Sequence, residues 1–330
     1  MSATAPSIHA AAAANLADDR AGDRAGDRAG EVVIGVSGLH KRYDELEAVR
    51  GIDLKVRRGE IFAFLGPNGA GKTTTVEILE GFRGRSAGQV SVLGVDPAHA
   101  DRHWRDRVGV VLQESQPEPG LRVRECLQLY AGYYTHPRQP EETIALVGLR
   151  PQAEVPTERL SGGQRRRLDV ALALIGDPEL LFLDEPTTGF DPSARRAAWQ
   201  VVAGLRTLGK TVLLTTHYMD EAEHLADRIA VIAAGRIVAQ GTPQTLGGRD
   251  RLPATISFTL PTGVTPQALP ADLQARAERD GDRLVLTSQH PLVHVRRLAD
   301  WALARGLDLP DLDVRRPSLE DVYLHLTRGN

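Results

Sequence analysis

Four short runs along the chain, at 61–65, 108–112, 180–183 and 212–215, are nearly unbroken in apolar residues. That pattern belongs to strands covered on both faces. Longer stretches with helical spacing of apolar positions lie between them, at 74–79, 123–134 and 168–175. From Glu31 to about Leu246 the alternation of short apolar runs with longer amphipathic ones predicts an α/β domain, with helices packed on a largely parallel sheet. The helical stretch between the second and third runs reads as a subdomain of its own, about residues 114–178. Past Gly247 and Gly248 the texture changes, with strands expected at 255–260 and 283–287 and helices at 292–305 and 319–327. Ser318 and Asp321 are spaced as a capping box for the last helix. Residues 247–330 are therefore expected to form a small α+β accessory domain. Residues 1–30 hold an alanine run and a repeated Ala-Gly-Asp-Arg unit, too poor in apolar surface to offset ordering entropy, and are expected to be a disordered tail.

Composition narrows the picture. The chain has 330 residues, enough for one large and one small domain. Its 40 basic and 43 acidic residues leave a net charge of -3, which gives no broad cationic surface for nucleic acid or anionic lipid. The single cysteine, Cys126, excludes a disulfide within the monomer and reads as a small buried apolar residue in a reducing compartment. The start of the chain lacks the charged and leucine-rich pattern of a secretory signal, and no apolar run approaches the roughly 20 residues needed to span hydrocarbon. If the chain serves transport, another chain is expected to supply the pore.

The run at 61–65 leads straight into Gly66, Pro67, Asn68, Gly69, Ala70, Gly71, Lys72 and Thr73, followed by Thr74 and a helical pattern. This is the spacing of a phosphate-binding loop in its required setting between strand and helix. Glycines let successive N–H groups turn toward phosphate oxygens, the helix presents its positive end, and Lys72 adds a full charge. The Thr73 hydroxyl is placed for a magnesium ion. Such a loop establishes nucleotide binding and nothing narrower, since many activities share it.

In an open parallel sheet the ligand sits beyond the carboxyl ends of the strands, so polar residues ending apolar runs are the ones to weigh. Asp184 and Glu185 end the run at 180–183, where Asp184 can bind magnesium and Glu185 can polarise water. His217 follows the run at 212–215 and could hydrogen-bond a γ-phosphate; Gln113 follows the run at 108–112 and could orient water at the metal. Taken singly each has an ordinary structural explanation. With the phosphate loop they are expected to converge on one site.

Leu160, Ser161, Gly162, Gly163 and Gln164 precede an amphipathic helix upstream of Asp184. With this run the chain resembles the nucleotide-binding subunits of ATP-binding cassette (ABC) transporters, over about residues 31–246. The resemblance implies a P-loop NTPase cassette with a helical subdomain. It makes Tyr43 the adenine-stacking aromatic, Gly66 to Thr73 Walker A, Gln113 the Q-loop, Leu160 to Gln164 the signature, Asp184 and Glu185 the end of Walker B, and His217 the switch histidine. It implies Mg2+ as cofactor, ATP as substrate, and a second cassette as partner, such that two protomers sandwich two ATP molecules head to tail. Ser161 and the N–H groups near Gly162 and Gly163 would then face the partner's γ-phosphate. Arg165, Arg166 and Arg167 read as a solvated face rather than an RNA site.

The segment from Thr215 to Glu223, the later Gly235-Arg236-Ile237-Val238, and Pro317 to Tyr323 resemble single-cassette export ATPases of the daunorubicin-resistance type. By that resemblance the chain is expected to lie on the cytoplasmic face of the cell membrane as a homodimer, powering a separate permease that exports a drug-like or other hydrophobic compound. A cassette for lipid or polysaccharide export or import, or a non-transport ABC ATPase, stays open. Two departures stand out: Phe190 where leucine is commoner in the D-loop, and Arg122 where threonine is frequent. Duplicated-cassette translation factors are disfavoured by the single P-loop and single signature, and chromosome-maintenance ATPases by the lack of room for a long coiled coil.

Overall fold

The computed structural model describes residues 30–112 and 118–328. The expected tail therefore falls almost wholly outside the described residues, and so does Gln113.

The four apolar runs form adjacent strands, from one edge inward, of a six-stranded sheet. Its order is β5-β6-β7-β3-β8-β9, with β3 Ile61–Leu65, β5 Val108–Val111, β6 Leu180–Asp184, β7 Thr211–Thr216, β8 Arg228–Ala233 and β9 Arg236–Gly241. Five strands are parallel, and β9 returns antiparallel to β8. Because side chains alternate across a strand, each run is divided between two cores. Ile61, Ala63 and Leu65 face one apolar cluster with Leu181, Leu183, Val212 and Leu214. Phe62 and Phe64 face the other with Leu180, Phe182 and Leu213. The three phenylalanines are fully buried, each contributing about 2–3 kcal/mol by removal from water.

The second cluster is closed by a three-stranded antiparallel sheet of order β2-β1-β4, with β1 Val32–Tyr43, β2 Leu46–Arg57 and β4 Ala87–Val92. The long β1–β2 hairpin turns at Asp44, which has φ 48°. Its apolar residues alternate with exposed polar ones, as suits a sheet with one wet face.

Helix α1 Lys72–Leu79 follows β3, and the short α2 Arg102–Asp106 precedes β5. Between β5 and β6 lie α3 Val123–Ala131, α4 Pro140–Leu146 and α5 Gly162–Leu174, in the stretch expected to be helical. Cys126 is buried here, and burial pushes its thiol up to about 11. Arg122 cannot cap α3 as a threonine would. Instead the Glu125 carboxylate accepts from the Arg122 N–H at 2.9 Å, and the guanidinium pairs with Glu154. Helices α6 Pro192–Thr207 and α7 Met219–Leu225 complete this part; Asp191 caps α6 through Ser193 and Ala194 N–H, with proline at the first position.

A four-stranded antiparallel sheet follows, of order β11-β12-β10-β13, with β10 Ala254–Thr259, β11 Ala277–Asp280, β12 Arg283–Ser288 and β13 Asp313–Arg315. With the short α8 Ala271–Gln274 and α9 Pro291–Leu303, it encloses a third cluster built on Ile256, Phe258, Leu286, Leu298 and Trp301. The last helix, α10 Leu319–Arg328, does not join that cluster. Leu319 is buried with Leu246 in the first core, and Tyr323 packs against it. The Ser318–Asp321 box forms as expected, with Asp321 N–H donating to the serine hydroxyl at 3.0 Å. Among the described residues no helix is long and apolar enough to cross a membrane.

Candidate nucleotide site at the sheet edge

The loop from Gly66 to Gly71 joins β3 to α1 under tight packing. A Cβ at Gly71 would sit 2.5 Å from the Ala48 carbonyl, and this residue has φ 101°. Only glycine meets both conditions. Gly71 also stands at the cap position of α1, so no side chain occupies the first N–H groups of that helix. Lys72, 6% exposed, turns its amine back to donate to the carbonyls of Gly66 at 2.6 Å and Pro67 at 3.1 Å. Burial pushes the amine's pKa down, and the carboxylates of Glu185 and Asp184 oppose that change.

A cavity of about 450 Å³ opens at this loop. Asn68, Gly69 and Gly71 to Thr74 line one side, Tyr43, Leu46 and Ala48 another, and Glu185 a third. Tyr43 reaches it because it ends β1, across the hairpin from Leu46. Lys41 and Arg83 stand 5.0 and 5.4 Å from the Tyr43 ring centre, close enough to hold the ring by cation–π attraction.

Asp184 ends β6, beside Thr215 of β7. The Thr215 hydroxyl donates to Asp184 Oδ1 and accepts from the Glu185 N–H at 3.0 Å. Glu185 itself has φ 46°, a conformation that costs a residue with a Cβ, and such strain gathers at functional sites. Its Oε2 accepts from the Thr188 hydroxyl at 2.9 Å, while Oε1 lies 3.3 Å from Nδ1 of His217. His217 is half exposed and its ring packs on Tyr218, which Arg195 covers from 4.0 Å.

Ser161 and Gln164 lie apart from the cavity lining. They form a reciprocal cap on α5: the Ser161 hydroxyl accepts from Gln164 N–H at 3.3 Å, and the Gln164 amide oxygen accepts from Ser161 N–H at 2.9 Å. Gly162 opens that helix in the exposed face, with nothing near its missing Cβ. The structure thus brings Tyr43, the loop, Glu185 and His217 together, and holds Ser161 to Gln164 elsewhere on the same chain.

One expectation is corrected. Arg166 is not solvated but 8% exposed, because the side of α5 it occupies faces the end of the sheet. Two residues of this neighbourhood are not singled out by the sequence. Thr215 reads as part of an apolar run, although a hydroxyl in a fully buried strand is the available signal. Glu221, wholly buried, accepts from the Thr187 hydroxyl at 2.8 Å and the Trp199 indole at 3.1 Å, and burial raises its pKa. A more open cleft of about 470 Å³ beside Trp301 contains none of the expected residues.

A buried strand entering a glycine-rich loop and a helix, on a parallel sheet with a carboxylate ending a nearby strand, defines a P-loop nucleotide-binding protein. Comparison with known proteins narrows this. A family profile described as "ABC transporter" matches residues 49–188, and one described as "ABC transporter domain-containing protein-like, C-terminal domain" matches residues 254–318. The Nod factor export ATP-binding protein I of Ralstonia nicotianae is 40% identical over 89% of this chain and 94% of its own length. A daunorubicin resistance ATP-binding protein of Streptomyces coeruleorubidus is 38% identical over 90% of this chain and 96% of its own. Among solved structures, a cassette from Clostridium perfringens, part of an ABC transporter complex, aligns with TM-score 0.59 and 28% identity over 64% of this chain and 89% of that one. A dimeric ATP-binding cassette in a post-hydrolysis state with ADP and Pi has the same fold, with TM-score 0.57 and 24% identity over 63% of this chain and 98% of that one. The chain belongs to the ABC transporter family of ATP-binding proteins. It is an ATPase cassette, the subunit type that such transporters carry.

Proposed function

We propose that this cassette works as a homodimer on the cytoplasmic face of the cell membrane, where ATP turnover drives a separate permease that exports a drug-like or other hydrophobic compound. The observation that carries the site reading is the single cavity shared by Tyr43, the Gly66–Thr73 loop and Glu185, with His217 beside Glu185. Exporter rather than importer rests on the names of the relatives, which concern daunorubicin resistance and Nod factor export. The working division of the chain is a cassette at 31–246, with its helical part at about 114–178, and an accessory region at 247–330.

In this reading the adenine stacks on Tyr43. The N–H groups from Asn68 to Thr74 surround the β- and γ-phosphates, and Lys72 exchanges its carbonyl partners for phosphate oxygens. Thr73 and Asp184 offer a hydroxyl and a carboxylate, hard oxygen donors that fit Mg2+, an ion needing only one or two carboxylates beside substrate phosphates. Bound there, the ion would neutralise phosphate charge, with Gln113 completing its surroundings. Glu185 polarises a water whose oxygen attacks the γ-phosphorus; the bond to the bridging oxygen breaks, and ADP and phosphate are released. His217 holds a γ-phosphate oxygen and is itself held by Glu185. Ser161, Gly162, Gly163 and Gln164 supply hydrogen-bond donors across the dimer to the partner's nucleotide.

Affinity purification in mild detergent of the Glu185→Gln variant, saturated with ATP and taken from its native host, tests both halves. We expect nucleotide binding without turnover and recovery of a polytopic membrane protein. Parental turnover would remove Glu185 from its role, and ribosomal or chromosomal partners without a membrane protein would sink the exporter.

A further inference from the structure

The Arg166 guanidinium reaches three carbonyls at the carboxyl edge of the sheet. Its Nε donates to Pro186 O at 3.2 Å, and its two terminal nitrogens donate to the carbonyls of Leu112 and Asp184. These belong to the ends of adjacent strands. The β5–β6 ladder stops at the pair Val111–Leu183, and Leu112 and Asp184 are the next residues on each side. The guanidinium occupies the place of the following rung. Leu112 immediately precedes Gln113, while Asp184 and Pro186 flank Glu185. Asp169, one turn along α5 and itself buried, lies 3.9 Å from the same guanidinium and balances its charge. A planar fork with five donors can hold three carbonyls in fixed directions, which an ammonium cannot.

Arg166 rides on the helix that begins at Gly162 and ends its reach at the loop that carries Glu185. We propose that Arg166 is a positioning residue which locks the start of that helix to the Asp184–Pro186 loop of the same chain. This inference rests on the head-to-tail reading given above. In such a pair one chain lends Ser161 to one nucleotide and Glu185 to the other, so the lock makes the two sites respond together. Release of the fork leaves each chain able to bind nucleotide, since the three carbonyls that the guanidinium holds belong to residues outside the cavity lining. It removes the link between the two ends.

The test uses full-length parent, Arg166→Gln and Arg166→Lys, each followed by steady-state hydrolysis against ATP concentration, fluorescent-nucleotide titration and urea unfolding. The expected result is a nucleotide Kd within about twofold of the parent, and maximal turnover reduced roughly ten- to hundredfold, the scale of a small misplacement of a reacting group. The Hill coefficient falls to about one in both variants. Parental turnover and cooperativity in folded Arg166→Gln would overturn the proposal. So would a loss of activity that merely tracks the unfolded fraction. If Arg166→Gln does not fold, Arg166→Lys decides: it keeps the charge without the fork, and parental behaviour there shows that charge alone suffices and the lock is wrong. A parent that lacks ATP turnover, or a Glu185→Gln control that retains it, would instead bring down the site reading and this inference with it.

Discussion

Two helices of this cassette begin at sites read as phosphate-facing, and they are built in opposite ways. Helix α1 starts at a left-handed glycine with no side-chain cap, and its first basic residue is folded back onto loop carbonyls. Helix α5 starts at Ser161 in a complete capping box, in which the N–H groups of Ser161 and Gln164 are satisfied by each other's side chains. At its far end α1 meets a further cost: Glu80, the C-cap residue, is buried, one of its carboxyl oxygens has no partner, and burial with the nearby charge of Asp184 raises its pKa to about 8. The first helix is thus held by the cores around it rather than by its own ends. The second is locally content. On the proposed reading, stability is given up where a ligand is to be gripped by backbone N–H groups, and is kept where a second protomer is to be met.

The largest effect with which to challenge this contrast belongs to Glu80. Its carboxyl keeps its proton in the folded chain up to about 8, whereas the unfolded chain releases it near the ordinary value of 4.5. Between those values the unfolded state binds fewer protons, so stability falls as pH rises through that window, by about 1.4 kcal/mol for each pH unit crossed. Glu80→Gln replaces the titrating carboxyl with a neutral amide and should flatten the decline, matching the parent at pH 5 and exceeding it by several kcal/mol at pH 8.5. Urea unfolding of both proteins at the two pH values measures it. Identical slopes would mean that the carboxyl is not held neutral and that α1 is not strained at this end.

Lys72→Ala comes next. Loss of a charged hydrogen-bonding group costs about 1.5–3 kcal/mol, so the nucleotide Kd should rise roughly 10- to 100-fold in a fluorescent-nucleotide titration. Thermal stability of the nucleotide-free chain should hardly change, because the amine is desolvated and gains only two carbonyl contacts. A large drop in melting temperature without ATP would show that Lys72 is there for the loop's own integrity.

The sequence makes one of these helices much plainer than the other. Glycines at fixed spacing after a wholly apolar strand leave few alternatives, because Gly71 is required by the Ala48 carbonyl and by φ together. The parallel strands are legible for a related reason, since two-sided burial writes an unbroken apolar run. The antiparallel sheet of β1, β2 and β4 is not, because one-sided burial mixes polar residues into each strand. Arg166 reads as solvated because an arginine run carries no information about which member faces a strand end. Its burial depends on where α5 docks, a tertiary fact. The return of α10 to the first core is hidden likewise: Leu319 and Tyr323 mark an apolar face, and nothing local says which core it meets.

The smallest expected effect separates capping from catalysis at α5. Ser161→Ala removes the hydroxyl that accepts from Gln164 N–H, a loss of about 1 kcal/mol, whereas Ser161→Gly costs only a few tenths because glycine is tolerated at a cap. Both variants delete the same hydroxyl. If that hydroxyl faces the partner's γ-phosphate, turnover should fall equally in the two while stability falls mainly in the alanine variant, and the Kd of either should stay at the parental value. If turnover follows the unfolding midpoint instead, with the glycine variant close to the parent in both, Ser161 is a cap and no more, and the contrast between the two helix starts reduces to a difference in local stability.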